Sequence, residues 1–124
     1  MYEVTVTAFF SAAHRLRNYK GKCENLHGHN WKVYVTVRCA RLDSAGMVID
    51  FGVLKSRVQQ FLNQLDHTFI NELPWFKKNN PTSENIARFL SEGLSRSLSK
   101  DGLKVSSVSV WETENSQAVY RQGR

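Results

Sequence analysis

Apolar and polar side chains alternate along two early segments of the chain, residues 2–10 and 31–39. Alternate residues of an extended strand face opposite sides of a sheet, so each segment is predicted to be a strand with one buried face. The segment between them, from about His14 to Asn30, is polar and contains glycine. It is predicted to be a long loop, and long loops inside compact domains are often functional.

The middle of the chain has the apolar spacing of two amphipathic helices. Asp50 is the predicted N-cap of the first helix, and either Thr82 or Ser83 is the predicted N-cap of the second. The apolar positions of the first helix are Leu54, Val58, Phe61, Leu62 and Leu65, and those of the second are Ile86, Phe89, Leu90, Leu94 and Leu98.

A further pair of strands, residues 105–113 and 117–121, is predicted at the end of the chain, with a turn at 114–116. The order strand, strand, helix, helix, strand, strand predicts an α+β domain. Both helices are expected on one face of a four-stranded antiparallel sheet. With 124 residues, the chain has the length of one domain, which we expect to span residues 1–124.

Composition is that of an ordinary globular protein, with 41% hydrophobic and 23% charged residues. No stretch approaches the roughly 20 apolar residues that cross a bilayer, and the N-terminus lacks the pattern of a signal peptide. The two cysteines, Cys23 and Cys39, do not make a disulfide framework. These features predict a cytoplasmic protein without a membrane partner.

The net charge of +6, from 17 basic and 11 acidic residues, favours an anionic partner. The basic residues are spread along the chain, and no nucleic-acid-binding motif is present. Residues 75–78 (Trp-Phe-Lys-Lys) are the one candidate for such a contact, and they are predicted to be a loop between helices. A phosphorylated small molecule is therefore the expected partner, with a merely solvated basic surface as the alternative.

Three of the four histidines are candidate metal ligands. His27 and His29 flank Gly28, and residues two apart on an extended segment point to the same side. His14 follows the first predicted strand, and it reaches the same point if the two strands pair. Three neutral histidines with an open fourth position form a catalytic zinc site. The alternative is a set of surface or hydrogen-bonded histidines.

Three further features have candidate chemistry. Cys23 lies four residues before His27, where a metal ion favours the thiolate; it is a fourth ligand, a base beside an open site or an inert thiol. Asp66 and His67 are an adjacent carboxylate and imidazole, which either transfer protons or simply end the first helix. Glu112 is in phase with the apolar residues of its strand. Its carboxylate either accepts N–H donors from a ligand or reaches solvent at the end of the sheet.

Taken together, these motifs resemble the 6-pyruvoyl-tetrahydropterin synthase / 6-carboxytetrahydropterin synthase family over nearly the whole chain. All four histidines fall on functional positions of that family. The matching segments are residues 10–16 (FSAAHRL), Cys23-x-x-x-His27-Gly28-His29, residues 46–51 (GMVIDF), Leu65-Asp66-His67, residues 80–87 (NPTSENIA) and Trp111-Glu112-Thr113.

The resemblance implies the tunnelling fold, in which the sheets of several subunits join into a β-barrel. It implies trimers that stack into a homohexamer, with active sites between subunits. It also implies a zinc ion held by His14, His27 and His29, which binds the side-chain hydroxyls of the substrate 7,8-dihydroneopterin triphosphate.

The same resemblance assigns roles around the metal. Cys23 is expected to be the general base, and Asp66 with His67 the second proton-transfer unit. Other residues are expected to contact the substrate, with Glu112 binding the amino and ring N–H groups of the pterin. These expected substrate-binding residues are Thr82, Ser83, Glu112 and Thr113.

The spacing between Cys23 and His27 separates subtypes of the family. Three residues lie between them, fewer than in the animal-type tetrahydrobiopterin enzymes. This spacing resembles the queuosine-pathway enzyme, which forms 6-carboxy-5,6,7,8-tetrahydropterin and releases acetaldehyde and triphosphate. Glu24 is also expected at the substrate, because a folate-pathway relative uses a glutamate in this loop to form 6-hydroxymethyldihydropterin. The carboxytetrahydropterin synthase is the first hypothesis; a dual-function or folate-type enzyme, or a 6-pyruvoyl-tetrahydropterin synthase, is the alternative.

Two other classes of protein fit parts of the sequence. A non-catalytic zinc or purine-binding module needs the histidines and Glu112, but it does not need Cys23 or His67. A nucleic-acid-binding domain needs clustered Lys and Arg with exposed aromatic residues. Zinc content together with turnover of dihydroneopterin triphosphate separates the three classes.

Overall fold

The computed structural model describes residues 1–18 and 25–122. Within them, four strands form one antiparallel sheet in the order β1–β2–β3–β4. The strands are β1 (Tyr2–His14), β2 (His27–Cys39), β3 (Lys104–Thr113) and β4 (Ser116–Tyr120). The helices are α1 (Phe51–Leu62), α2 (Pro74–Lys78) and α3 (Ser83–Leu98), with short 3-10 turns at Ile70–Glu72 and Ser99–Asp101. The predicted α+β class is confirmed.

One face of the sheet is buried beneath the helices, with α1 over β1 and α3 over β3 and β4. Both predicted N-caps form. The Asp50 carboxylate accepts the N–H of Val53 at 3.0 Å, and the Thr82 hydroxyl accepts the N–H of Asn85 at 3.1 Å. A cap of this kind contributes about 1 kcal/mol. The Thr82 cap therefore helps to fix the start of α3, which borders the candidate site.

The strands β1 and β2 are 13 residues each, longer than the apolar alternation predicted. The predicted loop at 14–30 was wrong at both ends, because His14 is the last residue of β1 and His27 is the first of β2. The two strands pair without interruption up to the pair His14–His27. Histidines on the buried face broke the apolar pattern while the backbone remained extended.

The middle of the chain also differs in detail from the predicted helices. The first helix ends at Leu62, and Leu65 is buried in the turn that follows it. Residues 75–78 belong to the short helix α2 rather than to a loop, and Phe76 is fully buried. The Trp75 ring packs 4.9 Å from the ring of Phe76 and 5.4 Å from that of Phe89. This packing removes the exposed aromatic pair that a nucleic-acid contact would use.

Among the residues that the structure describes, no helix combines the length and apolar character needed to span a membrane.

Candidate metal centre and adjoining pocket

The pairing of β1 with β2 brings three histidines together at one end of the sheet. His14 lies opposite His27, and His29 lies opposite Ala12. All three continue the inward-facing rows of their strands, so their imidazoles take the places of the last core side chains. The ring centroid of His14 lies 4.6 Å from that of His27 and 5.4 Å from that of His29, and the last two are 4.7 Å apart.

Backbone carbonyl groups orient two of these rings. Nδ1 of His14 lies 2.8 Å from the carbonyl oxygen of Pro81, and Nδ1 of His27 lies 2.9 Å from that of Asn25. A carbonyl oxygen only accepts, so Nδ1 of each ring is the donor and Nε2 of the neutral ring keeps its lone pair. Nε2 of His14 is buried without a hydrogen-bond partner among residues 1–18 and 25–122. Buried polar atoms are rarely left in that state, and a metal ion would satisfy this one.

Glu112 is the fourth member of the group. It continues the inward-facing row of Val108 and Val110 on β3. Its Oε1 atom lies 2.7 Å from Nε2 of His29, 3.6 Å from Nε2 of His14 and 3.8 Å from Nε2 of His27. The four donor atoms all lie within 4.8 Å of one another. The sequence placed Glu112 on the correct face but assigned its carboxylate to the substrate alone.

The indole ring of Trp31 is the floor of this cluster. It is fully buried, and its centroid lies 4.9 Å from the ring of His14 and 5.3 Å from that of His29. Both imidazoles meet it nearly edge-on, at 81° and 75°. An apolar floor restricts water and holds the rings in place. The sequence identified Trp31 only as a residue of the buried face.

This donor set could hold a tetrahedral metal ion. Zinc binds imidazole nitrogen and carboxylate oxygen at about 2.0–2.1 Å, which gives ligand-to-ligand separations of about 3.3 Å around a tetrahedron. The distances from Oε1 of Glu112 to the three Nε2 atoms, between 2.7 and 3.8 Å, bracket that value. Imidazole nitrogen and carboxylate oxygen are both among the ligands that zinc binds in proteins.

A pocket of about 360 Å³ opens beside the cluster. It is lined by His14 and Glu112, by residues 16–18 after β1, and by the start of α3. The Ser83 hydroxyl donates to Oε2 of Glu112 at 3.3 Å, and Thr82 lines the same pocket. Three of the residues expected at the substrate, Thr82, Ser83 and Glu112, therefore share one cavity with a metal-donor histidine.

Two asparagines hold the segment that leaves β1, a feature the sequence analysis missed. Asn71 accepts the N–H of Arg15 at 3.0 Å and donates to its carbonyl at 2.9 Å. Asn80 does the same with Arg17, at 2.8 and 3.0 Å. Each side-chain amide bonds both the N–H and the carbonyl of one residue, as a neighbouring strand would. These bonds fix the direction in which the chain leaves His14 along the pocket. Asn80 in the segment before α3 was the one available signal.

Asp66 and His67 lie outside this metal-donor group. Asp66 Oδ1 accepts the N–H of Ser11 at 2.8 Å, which anchors the pair to the outer edge of β1. This hydrogen bond lowers the pKa of Asp66 below its ordinary value of 3.8, against the opposing effect of desolvation, and the neighbouring His67 lowers it further. His67 Nδ1 lies 3.0 Å from Oδ2 of Asp66, and the His67 side chain is 83% exposed.

The remaining residues expected at the site are separate from the cluster or cannot be placed. Thr113 ends β3 with an exposed side chain, and its hydroxyl accepts the N–H of Asn115 at 3.2 Å. Cys23 and Glu24 lie outside the described residues, so their roles stay predictions.

The fold and the cluster together place three histidines and a glutamate that could hold a metal ion at one end of an antiparallel sheet. The chain belongs to the 6-pyruvoyl tetrahydropterin synthase family, whose sequence profile matches residues 3–123. It is therefore a pterin synthase, as the resemblance implied.

Relatives in bacteria support this membership along most of the chain. The 6-carboxy-5,6,7,8-tetrahydropterin synthase of Rickettsia typhi is 32% identical over 133 residues, covering 93% of this chain and 96% of the relative. The protein of the same name from Synechocystis sp. is 40% identical over 116 residues, covering 90% of this chain and 86% of the relative.

Solved structures show the same fold. The 6-pyruvoyl tetrahydropterin synthase of Caenorhabditis elegans superimposes with a TM-score of 0.85 at 30% identity, over 98% of this chain and 96% of that one. The enzyme of that name from Plasmodium vivax superimposes with a TM-score of 0.77 at 24% identity, over 99% and 98% of the two chains. The second likeness concerns the fold alone. The fold expected from the resemblance is confirmed for the single chain.

Proposed function

We propose that the chain is a zinc-dependent 6-carboxy-5,6,7,8-tetrahydropterin synthase of queuosine (7-deazaguanine) biosynthesis. It would convert 7,8-dihydroneopterin triphosphate and one water molecule to 6-carboxytetrahydropterin, acetaldehyde and triphosphate. The observation that carries the proposal is the convergence of three histidine Nε2 atoms within 3.8 Å of one carboxylate oxygen, beside an open pocket. The names of the relatives from Rickettsia typhi and Synechocystis support the same reaction.

The three histidines would hold the metal in a prepared geometry. When bound, zinc supplies a Lewis acid that acidifies the C–H beside the substrate's side-chain hydroxyls. The carbonyl of Pro81 fixes the His14 ring and the carbonyl of Asn25 fixes the His27 ring. Because these donors are set before the substrate arrives, little reorganisation is needed at the reacting carbon.

Glu112 would bind the pterin ring. An ionised carboxylate accepts the amino and ring N–H groups of a pterin side by side, and such charge-assisted pairs are strong. The Ser83 hydroxyl donates to one oxygen of Glu112, so it lies beside the same carboxylate. Thr82 and Thr113 would complete the surroundings of the ring, Thr82 from the pocket wall and Thr113 from the end of β3.

Proton transfer would use residues away from the metal donors. Cys23 would remove the proton from the substrate carbon. Asp66 would accept from Nδ1 of His67 and so leave Nε2 as the atom that exchanges a proton. In one chain this imidazole points into solvent, which suits a role in a pocket completed by a neighbouring chain.

The proposed assembly is a homohexamer formed by two trimers, in a cytoplasmic enzyme whose single domain spans residues 1–124. Strands β1 and β4 are the two edges of the described sheet. Unprotected strand edges favour pairing with another chain, so joining the edges into a barrel would remove both.

A second candidate follows from the sequence Cys23-Glu24-x-x-His27. A glutamate in this loop suits a dual-function or folate-type enzyme that forms 6-hydroxymethyldihydropterin. In that reaction Glu24 rather than Cys23 would act on the side chain of the substrate. A 6-pyruvoyl-tetrahydropterin synthase is the remaining alternative within the family.

Product analysis tests the proposal. The zinc-loaded protein is incubated with 7,8-dihydroneopterin triphosphate, and the products are identified by mass spectrometry. We expect 6-carboxytetrahydropterin and acetaldehyde, lost in Cys23→Ala and kept in Glu24→Gln. A main product of 6-hydroxymethyldihydropterin with the reverse dependence selects the second candidate. No conversion by the metal-loaded protein rejects both and favours a binding module.

A further inference from the structure

Oε1 of Glu112 is directed at the three histidines, whereas the pterin contact proposed above directs both carboxylate oxygens at the ring. Oε1 lies 2.7 Å from Nε2 of His29, 3.6 Å from Nε2 of His14 and 3.8 Å from Nε2 of His27. The pterin contact proposed above requires both carboxylate oxygens to accept N–H groups. If Oε1 is bound to the metal, Oε2 is the one oxygen that is not a metal ligand, and the Ser83 hydroxyl donates to it at 3.3 Å.

We propose that Glu112 closes the metal centre as its fourth ligand until a pterin ring draws the carboxylate away. This inference rests on the proposed function. When the ring pairs with both oxygens, the fourth position opens at the moment when the hydroxylated side chain of the same substrate is held beside it. Binding of the pterin ring thereby frees the fourth coordination position, which the side chain of the same substrate then occupies.

The backbone at Glu112 permits this movement. Pairing between β3 and β4 is irregular here, because Trp111 pairs with Gln117 and Thr113 pairs with Ser116, with Glu112 between the two pairs. Irregularities of this kind re-aim side chains and are frequent next to active sites. The Glu112 side chain is also 33% exposed toward the pocket. It therefore has room to turn without displacing the core.

Binding of Glu112 as the fourth ligand also completes the coordination of a metal ion that the three histidines alone leave incomplete. A tetrahedral site of three nitrogens and one carboxylate oxygen is coordinatively filled. Solvent anions then compete with Glu112 for the fourth position. An alternative is a carboxylate that pairs with His29 alone and leaves the metal open at all times. The two states differ in how strongly a small anion binds the metal.

Thiocyanate binding to the cobalt-substituted full-length protein separates these states. Cobalt(II) replaces zinc because its visible absorption reports the ligands around it. If Glu112 occupies the fourth position nine-tenths of the time, the apparent dissociation constant of thiocyanate is raised about tenfold. We expect saturating unsubstituted pterin, which lacks the hydroxylated side chain, to tighten thiocyanate binding by about tenfold. Glu112→Ala should show the tight binding without pterin.

A matched variant controls for charge. Glu84 lines the same pocket, so Glu84→Gln also removes a negative charge near the metal. We expect the thiocyanate affinity of Glu84→Gln to change by less than about threefold. If Glu84→Gln gains as much thiocyanate affinity as Glu112→Ala, the gain comes from the lost negative charge alone, and the proposal is overturned. By reciprocity, thiocyanate should strengthen pterin binding by the same factor that pterin strengthens thiocyanate binding.

Measurements of pterin binding and of thiocyanate binding distinguish failure of the proposed Glu112 exchange from failure of the proposed function. Calorimetry on the wild-type protein measures whether pterin binds at all. Pterin binding with unchanged or weakened thiocyanate affinity overturns the exchange of Glu112 and leaves the pterin assignment intact. Absence of pterin binding contradicts the proposed function, and the pterin-free comparison of wild type with Glu112→Ala still decides whether Glu112 closes the metal.

Discussion

Nδ1 of His14 donates to the carbonyl oxygen of Pro81 across 2.8 Å. Both residues are buried, and Pro81 immediately precedes Thr82, the N-cap of α3. The start of the helix that lines the pocket therefore fixes the ring of a metal-donor residue on β1. Strand β1 and helix α3 must be docked before the donor set is complete, so binding of a metal at this group would be coupled to folding.

His14→Phe tests this relationship, because it keeps an aromatic ring against Trp31 and removes the donor nitrogens. Without metal, we expect the free energy of unfolding to change by less than about 1.5 kcal/mol, since loss of the Pro81 bond is offset by loss of an unpartnered buried nitrogen. Zinc should stabilise the wild type but not the variant. Urea unfolding with chelator and with zinc measures both quantities. Equal stabilisation of the two proteins by zinc means that His14 is not a ligand.

Cys23→Ala tests whether the thiol is a base or a ligand. We expect zinc content to stay unchanged while turnover falls by about 10²-fold or more, as for loss of a proton-transfer group. Cys39→Ala is the matched control, because Cys39 ends β2 at the opposite end from His27. It should keep both zinc and turnover. Loss of zinc in Cys23→Ala alone instead makes the thiol a metal ligand.

The Asp66–Ser11 hydrogen bond predicts a pH-dependent contribution to stability. The pKa of Asp66 is lowered by the Ser11 N–H and then by His67. Its contribution is thus fully present above the pKa of the unfolded chain and is lost as the pH falls through the lower folded value. The difference in unfolding free energy between wild type and Asp66→Asn should shrink as the pH falls below about 4. A difference that grows below about pH 4 contradicts this account.

Glu112→Gln tests whether the pocket recognises a pterin. The amide keeps the shape but offers one acceptor and one donor, so one pterin N–H is left unpaired. An unpaired buried polar group costs about 1–3 kcal/mol, or roughly tenfold to a hundredfold in affinity. Calorimetry should show this loss for 7,8-dihydroneopterin triphosphate and for simple pterins alike, with zinc retained. Unchanged pterin affinity would leave Glu112 without a role in recognition.

The sequence predicted the α+β fold and the faces of the strands, because burial on one side of a sheet repeats every two residues. It also predicted that His27 and His29 point to the same side of an extended segment, and it placed Glu112 on the apolar face of its strand. It did not predict that β1 and β2 extend through His14 and His27. Polar residues at these strand ends interrupt the apolar alternation, although the backbone stays extended there. The position of Glu112 among the histidines depends on the register of three strands, which no local pattern contains.

The contacts that orient His14 and the segment after β1 also could not be predicted from the sequence. The carbonyl of Pro81 and the side chains of Asn71 and Asn80 act through backbone groups of distant segments. Nothing in the composition of these segments indicates which backbone group each will meet. The family resemblance supplied the proposed roles of Asp66 and His67, while their anchoring at the outer edge of β1 depends on a contact with a distant segment of the chain.

Metal analysis of the purified protein tests the central claim most directly, by comparing wild type with His27→Ala and His67→Ala. All three proteins are purified without added chelator, and their zinc is quantified per chain by mass spectrometry. The account predicts about one zinc per chain in the wild type, as a site with three histidine ligands requires. It predicts little in His27→Ala and full occupancy in His67→Ala, whose side chain is 83% exposed and outside the donor group. Full zinc occupancy in His27→Ala, or equal loss in His67→Ala, would contradict the account.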